Sequence, residues 1–354
     1  MSASPIPTYV VTGTLGVGKT TAIARAFAGK PEHERWVVIL NEFTDTGIDV
    51  LTVAGQARGE FDVRLVPGGC LCCASELDFT RTLRELVRGP RPARLFVEPS
   101  GIGHPAAIVE ELLTHQSHGS VRLESIVCLV DPGRLHAVRE PGVARDQAEV
   151  ADALVLAKAD LATDATRAEF AALAGDFYPP KRWVGECAHG DLPPPALAPP
   201  GPRAPFAVLP PRPTEHAHEH ATAVGEGSAA ASAEAPGPAL ALPGIGAERR
   251  IARHVGREAG AWVFERRVGF SRPALVRTLE RDARLAPVER LKGVFRTGSE
   301  HWALVQVADG RVSVAESSWR RDSRVEVLLR PGARADWPAW DALWESVTDV
   351  ATPR

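Results

Sequence analysis

The sequence predicts an α/β fold: a parallel sheet with helices on both faces, joined through a disordered linker to a small α+β domain. Three observations predict it. Short apolar runs alternate with helix-like segments through the first half of the chain. A stretch dominated by Pro, Ala, Gly and Ser, residues 191–247, carries about a dozen prolines and almost no aromatic residue, too little apolar surface to offset its ordering entropy. Beyond it, a run of short strands begins that contains one Asp-Gly turn signal. The expected domains are therefore residues 1–190 and 248–354, with residues 191–247 as linker.

Composition supports this division. The chain has 354 residues, 44% apolar and 24% charged, which excludes whole-chain disorder. Its 41 Lys/Arg against 44 Asp/Glu give a net charge of −3, so it is not a globally basic nucleic-acid binder. Between Glu248 and Arg334 there are 19 Lys/Arg and 11 Asp/Glu, a balance of +8 that leaves −11 for the remainder. Two oppositely charged domains, or a basic module meeting an acidic partner, both fit. No apolar run reaches the ~20 residues needed to cross a bilayer. Met1–Tyr9 lacks a positive segment followed by an apolar one, so the expected compartment is the cytoplasm, with no membrane partner. Three of the five cysteines fall within four positions, which suits a metal or redox site better than a disulfide framework.

In order along the chain, Tyr9–Thr12, Trp36–Leu40, Val63–Val66, Arg94–Val97, Ser125–Val130 and Ala153–Leu156 read as buried parallel strands. Thr20–Ala28, Glu76–Val87, Pro105–Thr114 and Val143–Ala151 read as helices between them. Ligands of such sheets bind beyond the carboxyl ends of the strands, so functional motifs belong just after strands.

Four motifs fall there. Gly13-Thr14-Leu15-Gly16-Val17-Gly18-Lys19-Thr20 is G-x-x-x-x-G-K-T between a strand and a helix. Gly13, Gly16 and Gly18 let the backbone N–H groups converge on phosphate oxygens, Lys19 reaches the β- and γ-phosphates, and the Thr20 hydroxyl ligates Mg²⁺. In Val97-Glu98-Pro99-Ser100-Gly101, Glu98 emerges from a strand to hold the Mg²⁺ shell, and Gly101 can bring its N–H against a γ-phosphate. Ala157-Lys158-Ala159-Asp160 matches N-K-x-D at its second and fourth positions. Asp160 accepts from guanine N1–H and the exocyclic amine, and the Lys158 stem lies against the base. Pro67-Gly68-Gly69-Cys70-Leu71-Cys72-Cys73 places three thiols where they can close on a thiophilic metal. Buried, inert cysteines are the alternative for that loop. Cys128, inside an apolar strand, reads as core; Cys187 is unassigned.

The ordered set GTLGVGKTT, NEFTDTGID (Asn41–Asp49), GGCLCC, VEPSGIGHP and LAKADL resembles the CobW-like P-loop GTPases, relatives of the nickel-inserting GTPases of urease and hydrogenase assembly. The resemblance covers Tyr9 to about Leu161 closely and Glu289–Leu329 more loosely, the latter as a CobW C-terminal domain. It implies a P-loop NTPase sheet and nucleotide-gated handling of a metal, mostly zinc, with cobalt used by the cobalamin-pathway members, so the expected cargo is Zn²⁺, or else Co²⁺ or Ni²⁺. By resemblance, catalysis falls to Lys19, Thr20 and Glu98, and nucleotide binding to Gly13, Gly16, Gly18, Lys19, Thr20, Thr21, Gly101, Lys158 and Asp160. Cys70, Cys72 and Cys73 hold the metal, and a client metalloprotein is the partner, with room for a homodimer. The sequence departs from the family at three places. N-E-F-G-E reads Asn41-Glu42-Phe43-Thr44-Asp45; Leu40 stands where some members carry a ligating Glu; and Ala157 replaces an Asn. The fourth metal ligand is left open between Glu42, Asp45, water and the client.

The linker adds His216-Ala217-His218-Glu219-His220, three imidazoles that can close on Zn²⁺, Ni²⁺ or Co²⁺ for low-affinity capture. The last domain reads as strand Trp262–Phe270, helix Pro273–Arg284, strands Glu289–Thr297, Trp302–Ala308, Arg311–Ala315 and Arg324–Leu329, and helix Trp337–Val347. Asp309-Gly310 forms a hairpin, and the tryptophans pack the core or, for one or two of them, face a client. The expected activity is a GTP-hydrolysing metallochaperone using GTP, Mg²⁺ and Zn²⁺. The competing class is a nucleotide- and metal-sensing regulator with little hydrolysis.

Overall fold

Seven parallel strands form the first sheet, in the order β3-β2-β4-β1-β5-β6-β7. In chain order its elements are β1 (Ile6–Gly13), α1 (Lys19–Ala28), β2 (Trp36–Glu42), β3 (Phe61–Pro67), α2 (Ala74–Arg88), β4 (Arg94–Glu98), α3 (Ala106–Ser117) and β5 (Val121–Val130), then α4 (Leu135–Arg139), α5 (Val143–Val150), β6 (Ala153–Leu156), α6 (Asp164–Asp176), β7 (Trp183–Glu186) and α7 (Pro194–Leu197). The structure, a computed structural model, describes residues 4–42, 61–67, 74–198, 238–254, 257–308 and 310–349.

The alternation of side chains along each strand sorts the core into two layers. Val10, Ile39, Val97, Ile126 and Leu154 pack with α2, α3, α5 and α6, through residues such as Leu83, Val109, Ala148 and Phe170. Tyr9, Val11, Val38, Phe96 and Val155 point the other way and pack with Ile23 and Phe27 of α1 and Ala196 of α7. Both faces are therefore covered, as continuous apolar strands require. Cys128 lies in the first layer, where burial pushes its thiol up to about 12. The sequence reading missed β7 and α6. β7 is a short edge strand with Val184 left exposed, and α6 spreads its few large apolar residues thinly among alanines.

The second sheet is antiparallel throughout, in the order β14-β13-β12-β15-β10-β9-β8. Its elements are β8 (Leu240–Leu242), β9 (Ala247–His254), β10 (Arg257–Phe264), β11 (Gly269–Phe270), α8 (Arg272–Arg281), β12 (Val288–Arg296), β13 (Trp302–Ala308), β14 (Arg311–Glu316), β15 (Ser323–Leu329), α9 (Trp337–Val347) and β16 (Thr348–Asp349). β11 and β16 pair separately. The core is aromatic: Trp262 meets Trp337, Trp340 and Trp344 at ring-centroid distances of 5.8, 6.2 and 5.7 Å. Gly260 makes room for this, since a Cβ there would sit 2.4 Å from the Trp337 ring. Trp262 and Trp337 donate their indole N–H groups to Asp341 (2.7 Å) and Glu258 (2.5 Å). Every tryptophan after residue 248 is buried, so none presents the client surface entertained from sequence. Ala308 lies opposite Arg311, the register of the expected two-residue hairpin turn, and Gly310 has φ 72°. Asp309 falls outside the described residues.

By contacts the chain forms two units, Met1–Pro202 with Ser317–Arg321, and Arg203–Glu316 with Asp322–Arg354. Within the first unit, the Ser318 N–H donates to Glu149 Oε2 (3.1 Å), Arg320 lies 3.6 Å from Glu110, and Arg321 pairs with Asp152. Two boundaries differ from expectation. Residues through Ala198 are folded, with α7 buried by Ala196, and β8 and the start of β9 lie before residue 248. Residues 199–237, with His216, His218 and His220, lie outside the described residues. The strand expected over Trp262–Phe270 ends at Phe264, where a turn closed by Val268 N–H to Glu265 O (2.9 Å) interrupts it.

Candidate functional site

β1 sits in the middle of the parallel sheet, between β4 and β5, and its carboxyl end delivers Gly13 into the loop before α1. The turn depends on glycine. Gly13, Gly16 and Gly18 have φ of 139°, 77° and 105°, and a Cβ on Gly13 would lie 2.5 Å from Leu129 O. Gly18 precedes α1 in a left-handed conformation, with no side chain capping the helix. A helix N-terminus that opens on a glycine turn without a side-chain cap is the arrangement that binds anions.

Lys19, Thr20 and Glu98 meet at this point. The Thr20 hydroxyl donates to both Glu98 carboxylate oxygens at 3.0 Å, and Lys19 Nζ lies 3.9 Å from Glu98 Oε1 and 3.4 Å from Thr14 O. Lys19 and Glu98 are both buried, at 6% and 7% exposure, although neither belongs to a hydrophobic core. A hydroxyl and a carboxylate are hard oxygen donors, and their convergence beside the glycine turn fits Mg²⁺. The segment after β4 closes over the same loop. A Cβ on Gly101 would fall 2.7 Å from Leu15 N and 2.9 Å from Lys19 Nζ, so only glycine allows this approach.

The Lys158–Asp160 segment follows β6. Lys158 adopts a left-handed φ of 51°, and its ammonium bonds Asp131 Oδ2 at 2.8 Å. Asp160 is exposed. Burial opposes the charge of Asp131, but the hydrogen bonds from Lys158 and the Gly133 N–H together outweigh it and hold the carboxyl below its usual range. Arg134, three residues on, donates to Leu15 O at 3.2 Å, tying the turn after β5 to the glycine loop. With Ala157 lacking an amide, the segment is held from elsewhere. Arg167 donates to Ala159 O (2.9 Å) and Ala162 O (2.8 Å), and the Ala159 N–H donates to Cys187 O (3.0 Å).

Asp131, Arg134, Arg167 and the loop Cys187–Gly190 were not singled out from sequence. Asp131 carried a signal, an acid directly after an apolar strand, as at Glu98. The others have none, because their roles depend on which strands become neighbours. Gly190 packs on Thr21, where a Cβ would lie 3.0 Å from Thr21 Cγ2. Cys187 is buried, which raises its thiol to about 11. It packs in the hydrophobic layer with Ala157 and Ala196.

The structure therefore brings together Gly13, Gly16, Gly18, Lys19, Thr20, Glu98 and Gly101, with Lys158 and Asp160 on the next strand end but one from β1. Glu42 ends β2 at the register position opposite Pro67, the last residue of β3. Cys70, Cys72 and Cys73, and the rest of Asn41–Asp49 beyond Glu42, lie outside the described residues. Among the described residues no group of three His, Cys, Asp or Glu side chains is placed to hold a metal, and no helix is long and apolar enough to cross a membrane.

Comparison with known proteins adds the following. Residues 7–184 match the family described as CobW/HypB/UreG, nucleotide-binding domain, and residues 259–348 match the Cobalamin synthesis protein cobW C-terminal domain. A protein of Escherichia coli named zinc chaperone YeiR is 32% identical over 339 residues, covering 94% of this chain and 95% of its own. A protein of Schizosaccharomyces pombe named zinc-regulated GTPase metalloprotein activator 1 is 27% identical over 164 residues, covering 44% of this chain and 40% of its own. Among solved structures, the Zn(II)-bound YjiA GTPase of E. coli aligns with a TM-score of 0.45 at 16% identity, over 98% of this chain and 99% of that one.

Proposed function

The chain belongs to the CobW/HypB/UreG family and is a GTPase, and on that premise we propose that it is a metallochaperone that couples GTP binding and hydrolysis to delivery of Zn²⁺ to a client metalloprotein. The observation that carries the nucleotide half is the junction of Lys19, Thr20 and Glu98 beneath a loop that only Gly101 can close. The N–H groups around Gly13, Gly16 and Gly18 cradle phosphate oxygens, and Lys19 neutralises charge toward the γ-phosphate. Thr20 and Glu98 would hold Mg²⁺, which would supply positive charge against that of the phosphates. Gly101 presents its N–H to the γ-phosphate, so the segment after β4 responds to its loss. Asp160 accepts from the guanine edge, and Asp131 fixes the Lys158 stem beside the base.

The metal half rests on donor chemistry. Cys70, Cys72 and Cys73 supply soft thiolates suited to Zn²⁺, with Glu42 as the oxygen ligand nearest in strand register. The loop starts from the end of β3, beside the end of β2, so the segment carrying Asn41–Asp49 is the natural link between metal and nucleotide. His216, His218 and His220 capture metal at low affinity for transfer to the thiolates. Relatives named zinc chaperones support Zn²⁺ over Co²⁺ or Ni²⁺ as cargo.

The test is GTP affinity with and without Zn²⁺, in the wild type and in the Cys72→Ala, Cys73→Ala double variant. Zn²⁺ shifts GTP affinity in the wild type, GTP shifts Zn²⁺ affinity by the same factor, and both shifts vanish in the variant. Full coupling in the double variant would overturn the metal assignment. Negligible single-turnover hydrolysis in every metal state would favour a sensor over a delivery cycle.

A further inference from the structure

Helix α5 carries one polar side chain with no solvent access at all, Gln147, at 0% exposure. Its amide nitrogen lies 3.3 Å from Gly101 O and 3.2 Å from Gly103 O. Two carbonyls can only accept, so the group facing them must be the NH₂ and the orientation of the amide is settled by chemistry. The amide oxygen is buried with no hydrogen-bond partner among the described residues. An apolar side chain would fill the same space without that penalty, so what distinguishes Gln147 is its pair of donations.

Those donations grip the segment whose Gly101 lies against Leu15 and Lys19. A second residue of α5 grips the same segment from outside, with Asp146 Oδ2 2.5 Å from His104 Nδ1. The helix itself is a fixed support. Lys181 Nζ donates to Ala148 O, Glu149 O and Ala151 O at 2.6, 2.9 and 2.9 Å, closing the carboxyl end of α5. The γ-phosphate side of the loop is thus paired with a rigid element one layer behind it.

We propose that Gln147 is a positioning residue for nucleotide-state recognition, holding Gly101 and Gly103 by their carbonyls so that the Gly101 N–H is presented to a γ-phosphate. This rests on the reading of Gly101 as the γ-phosphate contact. It makes Gln147 selective: GDP does not reach the loop, so the two donations matter for the triphosphate alone.

The experiment measures affinities of the full chain for GDP and for a non-hydrolysable GTP analogue, both with Mg²⁺. Gln147→Met keeps length and packing and removes both donors. Its expected effect is about tenfold weaker analogue binding with GDP affinity within about twofold of wild type. Gln147→Glu, which sets an oxygen against both carbonyls, shows the same split more strongly and serves if the Met variant does not fold. Equal losses on both nucleotides would mean that Gln147 only supports the fold, and no loss on either would mean that the donations do not matter; either result overturns the proposal. Gly101→Ala separates the two levels. If it spares analogue binding, the reading of Gly101 fails and the proposal with it. If it weakens analogue binding while Gln147→Met does not, only the assignment of Gln147 fails.

Discussion

In the nucleotide-binding unit the buried carboxylate of Glu98 faces Thr20 and Lys19 at the open ends of the strands, whereas in the C-terminal unit Glu258 and Asp341 face indole N–H groups inside the sheet's own core. Glu98 and Glu258 are buried, Asp341 is partly exposed, and all three have charge-assisted partners. The difference is what they leave available. Asp341 also takes Arg249 at 2.5 Å, and Glu258 also takes Arg253 and Arg334, so their oxygens are occupied by groups of the protein itself. Thr20 and Lys19 stand at a glycine turn that opens a helix without a side-chain cap, the arrangement into which an anion fits. Burial of an acid does not by itself mark a site. A buried acid beside a glycine turn that opens a helix does.

The strongest way to break this comparison is Glu98→Gln. Single-turnover GTP hydrolysis should fall on the order of a thousandfold, while the thermal midpoint of the apo protein changes little, because the amide retains a contact to Thr20. Survival of hydrolysis would place the essential acid elsewhere. Trp262→Ala should act in the opposite sense. Denaturant titration should show the C-terminal unit losing about 3–5 kcal/mol, with GTP affinity of the folded protein unchanged. A matching loss of GTP affinity would erase the contrast between the two units.

Asp131→Asn sharpens the comparison within the nucleotide-binding unit. It removes the charge that orients Lys158 while keeping an acceptor for the Gly133 N–H. Guanine-nucleotide affinity should drop about fivefold to tenfold, on GDP and GTP alike, read by fluorescent-nucleotide titration. The smallest effect concerns pH. The folded carboxyl of Asp131 titrates below its ordinary value of 3.8, so its contribution to stability is complete above that value and is lost only as the pH falls further, through the lowered folded value. The stability difference between wild type and Asp131→Asn should therefore be flat from neutral pH down to that range and shrink below it. A decline that sets in near pH 6 would assign the effect to another group.

Most of the first sheet was legible because its strands are continuous apolar runs, several of them ending at or just before a motif residue such as Gly13, Glu98 or Lys158. Edge strand β7 was not, since a strand with one unpaired edge needs no such run. Gln147 was invisible for a different reason. In sequence it is one polar residue in a helix, and only the return of the Gly101–Gly103 segment over α5 makes it buried. The tryptophans announced a core but not its chemistry, because Glu258 and Asp341 reach the indoles from elements some eighty residues apart in sequence (|i−j| of 79 in both pairs). The boundaries of the low-complexity stretch were read too wide. Composition changes gradually there, whereas Ala196 is buried against β5 and β6 by its position alone.

Ser317–Arg321 gives the first unit a last installment late in translation. Glu149 and Asp152 emerge from the ribosome long before Ser318 and Arg321, the residues they bond in the finished chain. The parallel sheet can assemble early, but Asp152 waits for its guanidinium until nearly the whole polypeptide has been synthesised. A stop or frameshift anywhere between Pro202 and Ser317 thus damages both halves, because the truncated product carries an N-terminal unit that was never completed.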